Sequence, residues 1–169
     1  MFRTKDFIMM DVVDIKGKKV GFVKDIIIDF HKGEVKGFVV STYKLLQKTI
    51  TVLKEDIVSF NKAMIISSYG KETLLKFSAI KNMDIVNRYG DIIGMVEDIL
   101  FHEFTFKITG LIVSTGFLKN VLKGKRILLM NTLILGNESI LCTSLDSDIS
   151  FLSVPHKIFT EEECHEENI

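Results

Sequence analysis

The chain repeats itself. Residues 11–42, DVVDIKGKKVGFVKDIIIDFHKGEVKGFVVST, align without a gap on residues 84–115, DIVNRYGDIIGMVEDILFHEFTFKITGLIVST, a shift of 73 positions at which about a third of the pairs are identical. Most of the other pairs set apolar against apolar, so two units face the same folding problem and should solve it alike. The match resumes with a small change of offset between TVLKEDIVSFNKAMIIS at 51–67 and LLMNTLILGNESILC at 128–142. The chain therefore divides into a first unit at 1–72, a second at 73–150 and a remainder at 151–169. A unit of this size buries only about 60% of its unfolded surface and is marginal alone, so the copies gain by packing together. Tyr69–Lys76 is too short and apolar to be a flexible tether, which points the same way.

Inside each unit, short runs rich in Val, Ile and Phe are broken by Gly, Asn and Lys, the pattern of closely spaced antiparallel strands. Gly17 in IKGK and Gly90 in RYGD suit the positive φ of a tight turn, where a residue without Cβ meets no steric cost. Gly21 and Gly94 fall within strand-like runs, where glycine marks a bulge or a close backbone approach at a barrel corner. The expectation is an all-β protein of two tandem small antiparallel β-barrels packed together, with a short acidic tail.

Several classes fall away on composition. The longest apolar runs, such as Phe7–Met10 and Ile127–Met130, have four residues, against about 20 for a membrane-spanning helix. The opening MFRTKDF carries charge at Arg3, Lys5 and Asp6 before any stretch long enough for a signal-peptide core. Cys142 and Cys164 make no disulfide framework and read as reduced thiols in a cytoplasmic protein. With 47% hydrophobic and 26% charged residues the chain is of ordinary globular make-up.

The repeated G-x-x-x-G-x-V-x-D at Gly17, Gly21, Val23 and Asp25, and again at Gly90, Gly94, Val96 and Asp98, resembles the PRC-barrel domain. The strands Val35–Val40 and Ile108–Val113, carrying Gly37 and Gly110, follow in the family order. Gly116-Phe117-Leu118 with Gly124-Lys125-Arg126 is similar to the hairpin of bacterial members, and VLKEDIVSF resembles the family's V-P-x-x-x-I ending, although Leu53 and Met130 stand where the proline would be. The family's module occurs in the cytoplasmic part of the photosynthetic reaction-centre H subunit and in the C-terminal domain of the ribosome-maturation factor. The tandem arrangement is similar to that of small cytoplasmic proteins from endospore-forming bacteria. The resemblance implies a non-catalytic scaffold that docks protein or ribonucleoprotein.

Candidate chemistry is sparse. Asp25 and Asp98 hold the same place in each copy beside apolar runs, where a carboxylate is costly unless hydrogen-bonded; as equivalents in separate units they read as acceptors for backbone N–H groups rather than a catalytic pair. His31 and His102 do not align with one another, so no ligand set repeats. Glu163-Cys164-His165-Glu166 offers adjacent ligand types without distant partners, and Cys142 sits in an apolar strand as a small hydrophobe. No glycine-rich phosphate loop is present. Neither enzymatic activity nor a metal or cofactor is expected.

The richest segment is Phe117–Arg126, FLKNVLKGKR, with Lys119, Lys123, Lys125 and Arg126 and no acid; Phe117, Leu118, Val121 and Leu122 would share one face of a short helix ended by Gly124. Its counterpart in the first copy, YKLLQK, supplies Tyr43, Lys44 and Lys48. These residues could grip a protein partner, or an RNA or ribosomal surface, or their apolar side chains could plug their own barrel; unpaired barrel edges could also join copies of the chain. Beyond Leu152, five glutamates face the single Lys157, with Thr160 and Glu163 in capping-box spacing. The net charge of zero is thus a sum of unlike parts, since residues 1–153 hold 21 bases against 17 acids. The tail could fold back onto the Lys119–Arg126 segment.

Overall fold

The computed structural model describes residues 1–43, 48–115 and 126–144. Each repeat builds one mixed sheet. In the first, β2 (Asp11–Asp14), β3 (Lys19–Asp29), β4 (Glu34–Thr42), β5 (Thr49–Leu53), β6 (Ile57–Phe60) and β7 (Ala63–Ile66) lie in the order β5-β4-β3-β2-β7-β6. In the second, β8 (Asp84–Val86), β9 (Ile92–Phe101), β10 (Ile108–Ser114), β11 (Arg126–Leu129), β12 (Leu133–Leu135) and β13 (Ser139–Cys142) lie in the order β11-β10-β9-β8-β13-β12. The long strands β3 and β9 form the spine of each sheet. A bulge at Lys24 and its equivalent at Glu97 interrupts the alternation, so that Val23 and then Ile26 and Ile28, and Val96 and then Ile99 and Phe101, all enter the core.

Two expectations are corrected. The sheets are not closed barrels, and they are not wholly antiparallel. β7 pairs with β2 in parallel, and β13 with β8 in parallel. The first and last strands of each sheet order, β5 and β6 or β11 and β12, are joined by a single 3-10 turn, at Lys54–Asp56 and at Met130–Thr132. The apolar interior of each sheet is covered by the other repeat instead of by closure on itself. One continuous core contains Val23, Phe38 and Met64 from the first repeat together with Ile85, Phe101 and Leu111 from the second.

The two repeats are related by an internal two-fold axis, visible in how equivalent residues meet. The Val35 N–H donates to the Phe106 carbonyl and the Ile108 N–H to the Gly33 carbonyl, both at 2.8 Å, so that Glu34 and its counterpart Lys107 form an antiparallel bridge with each other. Reciprocal pairing of this kind is what a two-fold relation demands. Gly33 (φ 59°) and Phe106 (φ 57°) share the left-handed conformation that starts each partner strand.

The segments leading into the repeats are exchanged across the same axis. β1 (Phe2–Arg3) adds to β9 of the second sheet, pairing Arg3 with Leu100, while Lys76 bridges Ile27 of the first. Met9 and Asn82 then take positive φ, and their N–H groups donate to Val23 and Val96, each at 2.8 Å. The connection between repeats is pinned as well, since Gly70 and Thr51 exchange backbone hydrogen bonds.

The signature glycines divide into two roles. Gly17 (φ 79°) and Gly90 (φ 87°) occupy turns. A Cβ on Gly21 or Gly37 would run into the Ser41 or Val52 carbonyl of the neighbouring strand, and one on Gly94 or Gly110 would meet Val113 or the Leu128 carbonyl. These four mark close backbone approach.

Candidate docking cleft

Asp25 and Asp98 are occupied in holding the exchanged segments. Asp98 Oδ1 accepts from the Thr4 N–H (3.0 Å), the Thr4 hydroxyl (2.6 Å) and its own neighbour's Ile99 N–H (2.8 Å), with Arg3 Nε 3.9 Å from Oδ2. Asp25 Oδ1 accepts from Ile26 N–H (2.8 Å) and Ser78 N–H (3.3 Å), at the start of helix α1 (Phe77–Ile80). Each carboxylate thus anchors the lead-in of the other repeat. His102 Nδ1 accepts from the Phe104 N–H of its own turn, and Cys142 is buried. Among the described residues no group of three His, Cys, Asp or Glu side chains is placed to hold a metal ion. No helix among them is long and apolar enough to cross a membrane.

The residues singled out for partner binding fall at equivalent places on the two sheets rather than in one cluster. In the first repeat, Phe22 of β3 stands between Asp11 of β2 and Ser41 of β4. Tyr43 closes over this trio: its ring lies 5.9 Å from Phe22, and its hydroxyl donates to Asp11 at 2.7 Å. That hydrogen bond to a carboxylate raises the phenol's pKa above its ordinary value of 10. Lys48 is exposed just before β5. Lys44 lies outside the described residues.

In the second repeat the same trio is Asp84, Met95 and Ser114. The position equivalent to Tyr43 is Gly116, which lies outside the described residues. A cleft of about 430 Å³ opens at the trio, lined by Asp84, Ile92, Met95, Thr115 and Arg126 among others. Ile92 is 64% and Met95 43% exposed. Arg126 takes the place of the buried Ile50 by strand register, opposite Val113 as Ile50 is opposite Val40. The cleft therefore combines an apolar floor with one acid and one base. Phe117, Leu118, Lys119, Lys123 and Lys125, and the acidic tail, lie outside the described residues. Ile92 and Met95 escaped the sequence reading, because their strand positions look like core; only comparison with Lys19 and Phe22 of the first copy marks them as divergent.

The PRC-barrel domain matches twice, over residues 1–73 and 72–149. The chain belongs to the PRC-barrel family. Comparison with curated proteins gives no match. In this PRC-barrel protein the two copies share one core, and the family's signature glycines and aspartates serve turns, strand crossings and the anchoring of exchanged segments.

Proposed function

We propose that this PRC-barrel protein is a non-enzymatic cytoplasmic adaptor that docks a protein partner in the cleft of its second repeat. The observation that carries the reading is the difference between the copies: Phe22 lies under the tethered Tyr43, whereas its counterpart Met95 is 43% exposed in a cleft that Asp84, Ile92 and Arg126 also line. An exposed apolar floor flanked by one carboxylate and one guanidinium suits a peptide segment with an apolar anchor and polar flanks, the usual anatomy of a protein contact. The basic run Lys119–Arg126 follows in sequence and would add attraction for acidic partners.

The test is affinity capture from cytoplasmic extract with the full chain, run with and without nuclease, beside the I92S/M95S and R126E variants. Capture of a protein that survives nuclease and is lost in both variants supports the reading. A partner released by nuclease assigns the face to RNA or the ribosome instead, and a partner retained by both variants places the contact elsewhere.

A further inference from the structure

The internal two-fold symmetry is broken where Phe106 has no ring as its counterpart, and a cleft lies at that counterpart. On one side Phe106 packs 6.1 Å from Phe60, 6.4 Å from Phe38 and 6.2 Å from Phe101, inside a ring cluster that also holds Phe2 and Phe7. On the other side the counterpart of Phe106 is Gly33 and the counterpart of Phe60, by strand register against Ile140, is Leu135. Where two phenylalanines fill the first position, a cleft of about 500 Å³ remains in the second. It lies between Phe30, His31 and Gly33 of one repeat and Met130, Leu133 and Ile134 of the other. The filled counterpart states the chemistry that fits the empty one: an aromatic ring.

The chain carries such a ring on the same turn system. Phe104 is 81% exposed, the only exposed phenylalanine among the described residues. It is the counterpart of His31 on the cleft wall. We infer that this protein forms a symmetric dimer in which Phe104 of each copy enters the Gly33–Met130–Leu133 cleft of the other.

Symmetry makes the two contacts simultaneous. The internal axis already relates the position of the ring to the position of the cleft. An intermolecular two-fold axis perpendicular to it carries each Phe104 onto the other copy's cleft at once, giving a closed, isologous pair. Charge favours the same arrangement: Glu103 flanks the ring and Lys32 flanks the cleft, and the net charge of zero opposes no association. This surface involves neither Met95 nor Arg126, so it stands or falls independently of the docking cleft.

Sedimentation of the full chain over micromolar to near-millimolar concentrations tests the inference, with thermal melts confirming that each variant is folded. The wild type should dimerise, and F104S and I134K, both at exposed positions, should each weaken the dimer by roughly tenfold or more. Replacing Phe104 by the photoreactive p-benzoylphenylalanine keeps a ring at the site. In a mixture of isotopically light and heavy chains it should cross-link to residues 130–135 of the other copy. A wild type that stays monomeric throughout, a dimer indifferent to both substitutions, or cross-links that map elsewhere overturns the inference.

Discussion

Glu34 and Lys107 occupy equivalent positions in the two repeats, yet they pair with each other, as an antiparallel bridge in the backbone and as an ion pair at 3.6 Å in the side chains. At a two-fold axis a residue faces its own equivalent, so two identical charges would meet there and repel. Duplication within one chain frees the two positions to differ, and the acid and base found here turn a repulsive contact into an attractive one. Glu34 is 8% exposed and also receives Lys54 and Lys36, each at 3.1 Å. Charge neutralisation of this buried acid thus draws on both sheets.

The first prediction follows from that carboxylate. The hydrogen bond from Lys54, then that from Lys36, hold its pKa down to about 2, from 4.5. Because the folded value lies below the unfolded one, the stabilisation is complete above pH 4.5 and is lost as pH falls from there toward 2. E34Q should cost about 1–3 kcal/mol in urea denaturation at neutral pH, and the gap between variant and wild type should narrow as pH falls below 4.5 and close only near pH 2. K107E should cost more than K107Q, because it sets two carboxylates face to face at the axis.

A second prediction concerns the exchanged segments. D98A removes an acceptor that serves three donors from a buried position, so a loss of about 2–3 kcal/mol is expected. D25A gives up two N–H partners, one of them at 3.3 Å, and should cost about half as much. Amide exchange at Thr4 should rise far more in D98A than in D25A, while exchange at Ser78 should show the reverse. Equal exchange at both sites in both variants would contradict the reciprocal anchoring.

Much of this was legible in the sequence because glycine and aspartate leave chemical traces. Gly17 and Gly90 mark turns, Gly21 and Gly94 mark a bulge or a close backbone approach, of which the structure shows the second, and Asp25 and Asp98, set among apolar neighbours, read as hydrogen-bond acceptors. The exchange of lead-in segments was not legible. It rests on backbone pairing of Arg3 and Lys76, and on left-handed Met9 and Asn82, and neither kind of interaction selects a residue type strongly enough to survive as identity between copies. The parallel pairing of β2 with β7 was hidden too, since alternation tells which face a residue takes and not which strand lies beside it. The cleft at Met95 is not legible in the sequence either, because Ile92 and Met95 carry apolar side chains as core residues do, and only the tethered Tyr43 over Phe22 sets the two copies apart.

A third prediction separates the two glycine roles. G17A forces a Cβ into φ 79° in open space, for which about 1 kcal/mol is the expected cost. G37A drives a Cβ into the Val52 carbonyl within a paired strand, and the strands must part to admit it. A loss of about 3 kcal/mol or more, with broadened signals from β4 and β5, is the expected outcome. Chemical denaturation of the two variants side by side checks the ranking, and equal losses would mean that turn conformation alone explains the conserved-looking spacing of the repeat.

The last prediction uses Tyr43 as a reporter of its own closure over the first repeat. The phenol donates to Asp11, and deprotonation would set phenolate against carboxylate, so its ionisation lies above the ordinary value of 10. D11N removes the charge, and ultraviolet titration should then show one of the three tyrosines ionising at lower pH than in the wild type. Because the pair is solvent-exposed, with Tyr43 at 55%, Y43F should change stability by less than about 0.5 kcal/mol. Its effect is local: without the hydroxyl the ring loses its tether and Phe22 becomes accessible, as Met95 already is in the second repeat. If the first trio then gains affinity for the partner captured by the second, coverage by Tyr43 is what distinguishes the two copies. If Y43F and Y43A both leave the first repeat inert toward that partner, the distinction lies in Arg126 and the apolar Ile92 instead.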